Sequence, residues 1–250
     1  MSEPHLSGTT ALVTGASRGF GRAIAAALSH EGAAVVGLAR DGGRLAELRQ
    51  ELGNGFTPVT GDAADPVTAG QLLDRYDPTI LVLNAGAAPL SRPLQQHTWQ
   101  SFSRNWEVDV QHAFNWTREA LLRPLRKGSV VIAISSGAVL AGSPLSGGYA
   151  GAKATIRYIT AYAAEESERN GLEVRFATVL PQLTPATDLG AAAVAAYAAR
   201  AGQPAADFSA ARGPALTPAQ AGQAIVSLIT DPDYDQASYL LTAAGLRALT

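Results

Sequence analysis

Short apolar runs rich in Val, Ile and Leu alternate along this chain with longer stretches whose apolar residues return every three or four positions. The first pattern is that of strands buried on both faces, the second that of helices with one apolar side. Strands are expected at 10–14, 33–39, 56–60, 79–83, 129–134, 173–179 and 238–242. Helices are expected between them at 22–30, 43–52, 66–76, 98–125, from Tyr149 onward, 189–200 and 218–229. In the helix expected at 98–125, Phe102, Trp106, Val110, Ala113, Thr117 and Leu121 recur at helical spacing. Strands and helices alternate with connections too short to separate domains. This predicts an α/β fold, one doubly wound parallel sheet of about seven strands with helices on both faces, and a single domain over residues 1–250.

Composition narrows the function classes. The chain is 47% hydrophobic and carries a net charge of −2 with no clustered basic run, which argues against nucleic acid as a partner. No apolar stretch reaches the roughly 18 residues that span a bilayer, so no membrane association is expected. The segment from Met1 to Ser7 has neither the basic start nor the apolar centre of a signal peptide. The absence of cysteine excludes thiolate metal sites and fits a reducing, cytoplasmic setting. His97 and His112 have no ligand spacing around them and are read as structural or surface residues, and no metal is expected. Trp99, Trp106 and Trp116 are read as core or subunit contacts. The Ala/Pro/Gly-rich segment 182–216 suits a mobile lid over a pocket.

Two stretches carry chemistry. Gly15-Ala16-Ser17-Arg18-Gly19-Phe20-Gly21 joins the first strand to the first helix. A glycine-rich turn there lets backbone approach a pyrophosphate closely and aims helix N–H groups at it. The second strand ends at Arg40. A carboxylate in that place holds a ribose diol, whereas an arginine accommodates a 2′-phosphate. Arg40, with Arg18 in the loop, therefore favours NADP(H), and Asp41 is expected as a helix cap. The other stretch runs from Ser135-Ser136-Gly137 to Tyr149-x-x-x-Lys153. Four residues apart on a helix, Tyr149 and Lys153 share a face. At about 5 Å and an effective dielectric of about 20, the ammonium favours the phenolate by roughly 3 kcal/mol, which suits the phenol to proton transfer.

Thr14-Gly15-x-x-x-Gly19-x-Gly21, Asp62, Asn84-Ala85-Gly86, Ser136 thirteen residues before Tyr149, and Tyr149-x-x-x-Lys153 occur in this order. Together they resemble the short-chain dehydrogenase/reductase family over about residues 8–245. The resemblance implies a Rossmann-type sheet, and a homodimer or homotetramer built on the two long helices. It implies that Gly15, Ser17, Arg18, Gly19, Phe20 and Gly21 line the cofactor phosphates. Asp62 and Ala63 would meet the adenine, and Asn84, Ala85 and Gly86 the ribose side. Pro181, Leu183 and Thr184 would close the nicotinamide end, with Thr184 or Thr187 touching the carboxamide. For the chemistry it implies hydride transfer from NADPH to a carbonyl carbon. Ser136 would donate to the carbonyl oxygen, Tyr149 would give it a proton, and Lys153 would hold the phenol and the nicotinamide ribose. The expected substrate is a small to medium apolar carbonyl compound, or the alcohol in reverse. Ala138, Leu140, Leu145, Leu183, Leu189 and Tyr197, none of them charged, are its expected surroundings. Imine or enone reduction on the same scaffold, and a catalytically weak NADP(H)-binding sensor, are the alternatives.

The chain departs from the family in three places. Asp109, in Val108-Asp109-Val110, stands where the family has an asparagine that orders a relay water. At about 8 Å from Lys153 its carboxylate would oppose the ammonium field by up to roughly 2 kcal/mol at a dielectric of about 20, or bind the water itself. Gln182 follows Pro181 where glycine is usual, and Ala243-Ala244-Gly245-Leu246 lacks a common double glycine. Arg123, Arg126 and Lys127 close the longest helix and either dock an acidic carrier or complement the helix dipole.

Overall fold

The computed structural model describes residues 5–249; residues 1–4, which begin the segment read for a signal peptide, lie outside it. Seven parallel strands form the sheet: β1 (Thr10–Thr14), β2 (Ala34–Ala39), β3 (Phe56–Thr60), β4 (Ile80–Leu83), β5 (Val130–Ile134), β6 (Arg175–Pro181) and β7 (Ser238–Thr242). An eighth, β8 (Gly245–Ala248), pairs antiparallel to β7 at the edge. The sequence pattern missed it because four residues of mixed character carry no alternation. The helices are α1 (Gly19–His30), α2 (Gly42–Leu52), α3 (Pro66–Tyr76), α4 (Trp99–Asn105) and α5 (Gln111–Leu122). They continue with α6 (Ala138–Ala141), α7 (Tyr149–Arg169), α8 (Asp188–Arg200), α9 (Ala205–Ala210) and α10 (Pro218–Thr230).

Alternate strand residues feed opposite cores, as the two-residue period of a strand requires. Ala11, Val13 and Val35 pack with Ile24, Leu28, Leu45 and Ile225 from α1, α2 and α10. Leu12, Val36 and Leu81 pack on the other face with Leu72, Trp116 and Ile156 from α3, α5 and α7. The strand order β3-β2-β1-β4-β5-β6-β7-β8 reverses direction between β1 and β4. Connections leave there to opposite faces of the sheet, and a crevice opens at the carboxyl ends of the strands.

The expected helix over 98–125 is three pieces. Between α4 and α5, Trp106–Val110 forms a π turn. Apolar residues on both sides keep helical spacing, so periodicity alone cannot reveal an inserted residue. Of the tryptophans, only Trp116 is fully buried; Trp106 is partly exposed and Trp99 is 77% exposed. Arg123, Arg126 and Lys127 each pair with an acid of a neighbouring turn, Asp74, Asp77 and Glu173. Among the described residues no helix is long and apolar enough to cross a membrane.

Candidate active site

The glycine turn after β1 is shaped from within. A Cβ on Gly21 would stand 2.2 Å from the Gly15 carbonyl oxygen and 2.4 Å from Asn84 Nδ2. Gly21 thus packs behind the turn, and it is the one predicted cofactor residue absent from the cleft wall. Asn84 Nδ2 donates to the carbonyls of Thr14 and Gly15, and Thr14 Oγ1 accepts from the Asn84 and Ala85 amides. These bonds hold the end of β4 against the turn. No side chain caps the first turn of α1, so its N–H groups are left for a ligand anion.

Gly15, Ser17, Arg18, Gly19, Phe20, Arg40, Asp62, Ala63, Asn84, Ala85, Gly86, Pro181, Leu183 and Thr184 all line one cleft of about 1470 Å³. Single small-molecule pockets run to roughly 300–1,000 Å³, so a dinucleotide and a second molecule fit together. Arg40 lies at the end of β2 and is exposed. Asp41, beside it, is committed elsewhere: it caps α2 through the Arg44 amide and pairs with the Arg44 side chain. Ala63 and Ala64 are fixed by Trp116 Nε1 and Asn115 Nδ2, which donate to their carbonyls. Asp62 Oδ1 accepts from the Ala64 amide.

Ser136, Tyr149 and Lys153 line the same cleft. Ser135, next to Ser136, also borders the cleft, but its hydroxyl is engaged within the protein and donates to the Lys153 carbonyl at 2.8 Å. Ser136 Oγ accepts from the Ala138 amide, which leaves its own proton to give. Tyr149 opens α7, with Lys153 Nζ 5.8 Å from its ring centre. Lys153 is 5% exposed; its ammonium donates to the Ile134 carbonyl at 3.2 Å and pairs with Asp109 Oδ2 at 3.3 Å.

That pair corrects the expected separation of Asp109 and Lys153. The carboxylate touches the ammonium, because the π turn directs Asp109, 0% exposed, toward α7. Asp109 Oδ1 accepts from the Ala87 amide at 2.7 Å, and Asn105 Nδ2 lies 3.4 and 3.5 Å from its two oxygens. A Cβ on Gly86 would stand 2.9 Å from Asp109 Oδ2, so the β4 loop needs glycine there to clear the carboxylate. Burial alone would lower the Lys153 pKa; the charges of Asp109 and Tyr149 and the bond to Asp109 outweigh it and leave it raised.

Of the two readings of His112, structural or surface, the surface one fails: the residue is buried and borders the cleft one turn after Asp109. Burial first, then the Lys153 charge, push it down to about 3, and the Ala85 backbone only partly offsets this. The ring is therefore neutral, and its Nε2 has no partner. His97 bonds Ser101 Oγ and the Arg92 carbonyl and is structural. No cluster of His, Asp or Glu among the described residues could hold a metal.

All six predicted pocket residues, Ala138, Leu140, Leu145, Leu183, Leu189 and Tyr197, line the cleft. Tyr197 Oη, from α8, meets Ser143 Oγ at 2.7 Å and accepts from the Leu145 amide at 3.1 Å, fastening α8 to the loop after Ser136. Thr184 Oγ1 donates to the Leu216 carbonyl and Thr187 caps α8, so both hydroxyls are engaged within the protein. The signals missed in the sequence were the π turn and Arg212, which reaches the cleft from the turn after α9.

The sequence profile of the family described as short chain dehydrogenase matches residues 9–198. A short-chain type dehydrogenase/reductase of Picea abies is 34% identical over 178 residues, covering 64% of this chain and 66% of that protein, just under two thirds of its length. A probable NADP-dependent dehydrogenase of Haemophilus influenzae is 32% identical over 190 residues, covering 72% of this chain and 73% of its own. Among solved structures, a 3-ketoacyl-(acyl-carrier-protein) reductase from Brucella melitensis complexed with NADH superposes with a TM-score of 0.74. It covers 91% of this chain and 93% of its own at 22% identity, a likeness of fold.

Proposed function

This chain belongs to the short-chain dehydrogenase family, and from that premise we propose that it is an NADPH-dependent reductase of carbonyl compounds, reversible to alcohol oxidation. The observation that carries this reading is the presence of Ser136, Tyr149 and Lys153 on the wall of one cleft with the glycine turn and Arg40. The dinucleotide, when bound, supplies the hydride. Ser136 donates its free proton to the carbonyl oxygen, and Tyr149 transfers a proton to the same oxygen as charge develops there. Lys153 holds the phenol and the cofactor ribose. Asp109 is a positioning residue that fixes Lys153 by the ion pair beneath Gly86.

The preference for NADPH rests on Arg40, which has no carboxylate partner among the described residues, and on the engagement of Asp41 in capping α2. Replacing Arg40 by Ala should raise the KM for NADPH by about 10- to 100-fold, the loss of one charge-assisted contact. NADH turnover should move far less, and equal losses on both cofactors would count against the assignment. The reading as a whole is tested by following NADPH oxidation over a panel of ketones and aldehydes. Turnover with at least one of them is expected, and cofactor binding without turnover on any favours a sensor.

A further inference from the structure

Six cations line the cleft: Arg18, Arg22, Arg40, Arg44, Lys153 and Arg212. Four are held by carboxylates, Arg18 by Asp188, Arg22 by Glu51, Arg44 by Asp41 and Lys153 by Asp109. The other two have no carboxylate partner among the described residues, and they stand at different ends. Arg40 ends β2, on the adenine side. Arg212 follows α9 in the lid, and the hollow it shares with Gln182 and Leu183 lies directly after β6. Gln182 Nε2 donates to the Pro214 carbonyl, and the Pro181 carbonyl accepts from the Gly137 amide, next to Ser136. Arg212 therefore belongs to the substrate end.

Its guanidinium is held in a fixed attitude. It lies 3.4 Å over the Phe208 ring and donates to the Phe208 carbonyl at 2.8 Å. Phe208 is buried and stacks on Tyr197 at 6.3 Å with 10° between the rings. Tyr197 in turn is fastened to Ser143 and Leu145. An unbroken column thus runs from the loop after Ser136 to a flat, stacked guanidinium. One edge is committed to backbone, and other N–H donors remain for a planar, two-oxygen acceptor. The uncharged pocket read from the sequence gains a cation on its lid side.

We propose that Arg212 is a specificity-determining residue that binds a carboxylate of the substrate, so that the carbonyl compound reduced is an oxo acid. The reaction in this statement rests on the reductase reading; the anion site does not. The test uses 3-oxobutanoate, 4-oxopentanoate and 5-oxohexanoate, each beside its methyl ester, with NADPH. In parallel, calorimetry with the NADP-loaded protein compares butanoate, pentanoate and hexanoate with their primary amides. One or more acids should exceed their esters in kcat/KM by about 10- to 100-fold, mostly through KM. Arg212→Gln should remove that ratio and Arg212→Lys should keep some of it. Arg200→Gln, in the same lid but outside the cleft wall, should leave it intact. Esters reduced as well as acids, or a ratio unmoved by Arg212→Gln, would overturn the proposal. If no compound is reduced, calorimetry decides. Carboxylate binding that depends on Arg212 upholds the anion site while the reductase reading falls, and equal binding of acid and amide refutes the site.

Discussion

The carboxylate of Asp109 uses its two oxygens differently, Oδ1 toward the Ala87 amide and Oδ2 toward the Lys153 ammonium. An amide offers one acceptor and one donor and cannot serve both partners. Asp109→Asn therefore leaves the ammonium uncompensated beside Tyr149. The Asp109 charge helps hold the Lys153 pKa up, so its loss should move the Lys153-dependent limb of the pH–rate profile to lower pH, and superimposable profiles would remove the compensation argument. Asp109→Ala strands a buried cation and should lower unfolding stability by about 3–5 kcal/mol, measured by urea titration. His112 gives a second pH effect with its own sign. Its pKa is lowered to about 3 in the folded state against about 6.5 when unfolded, so the unfolded chain binds more protons between those values. The stabilisation it confers is complete above about pH 6.5 and falls by up to about 1.4 kcal/mol per unit as pH drops toward 3. His112→Leu should flatten the stability profile between pH 6.5 and 4.5; an unchanged slope would assign the acid sensitivity to other groups.

Among the elements, the strands and most helices were legible because burial on two faces, or on one, writes a two-residue or a 3.6-residue period into the chain. The π turn at Trp106–Val110 was not legible, since an inserted residue leaves the flanking periods intact. With the turn went the position of Asp109: the residue could be named from its place in the motif, but its contact with Lys153 depends on how far the helix is widened. Arg212 was hidden for another reason. It lies over sixty residues after Ser136 in sequence, and only the packing of α9 under α8, through Phe208 and Tyr197, brings it to the cleft. The segment expected as a lid carries α8 and α9, packed on each other and joined by Tyr197 to the loop after Ser136. Tyr197→Phe removes both bonds and should raise the KM of carbonyl substrates by roughly 3- to 10-fold. An unaltered KM would mean that stacking on Phe208 alone holds the lid.

For the molecule as a whole, the glycine turn, Arg40, Ser136, Tyr149 and the lid come from separate regions of the chain and meet because the strand order reverses between β1 and β4. Exposed aromatic and leucine side chains at Trp99, Phe114, Leu122, Tyr158 and Tyr162 stand on α4, α5 and α7, the helices proposed to join subunits. Sedimentation should give two or four times the chain mass, and Tyr158→Glu with Tyr162→Glu should shift it toward one. A parent that sediments as a single chain would contradict the oligomer. The central claim, that Tyr149 and Ser136 act on one carbonyl oxygen beside a reduced nicotinamide, is tested most directly with NADPH carrying deuterium at its transferable position. The account predicts an alcohol product with deuterium on the carbinol carbon, and a rate about 100- to 10,000-fold lower in Tyr149→Phe. Tight NADPH binding with no labelled alcohol from any carbonyl compound, or a Tyr149→Phe variant as fast as the parent, would contradict it.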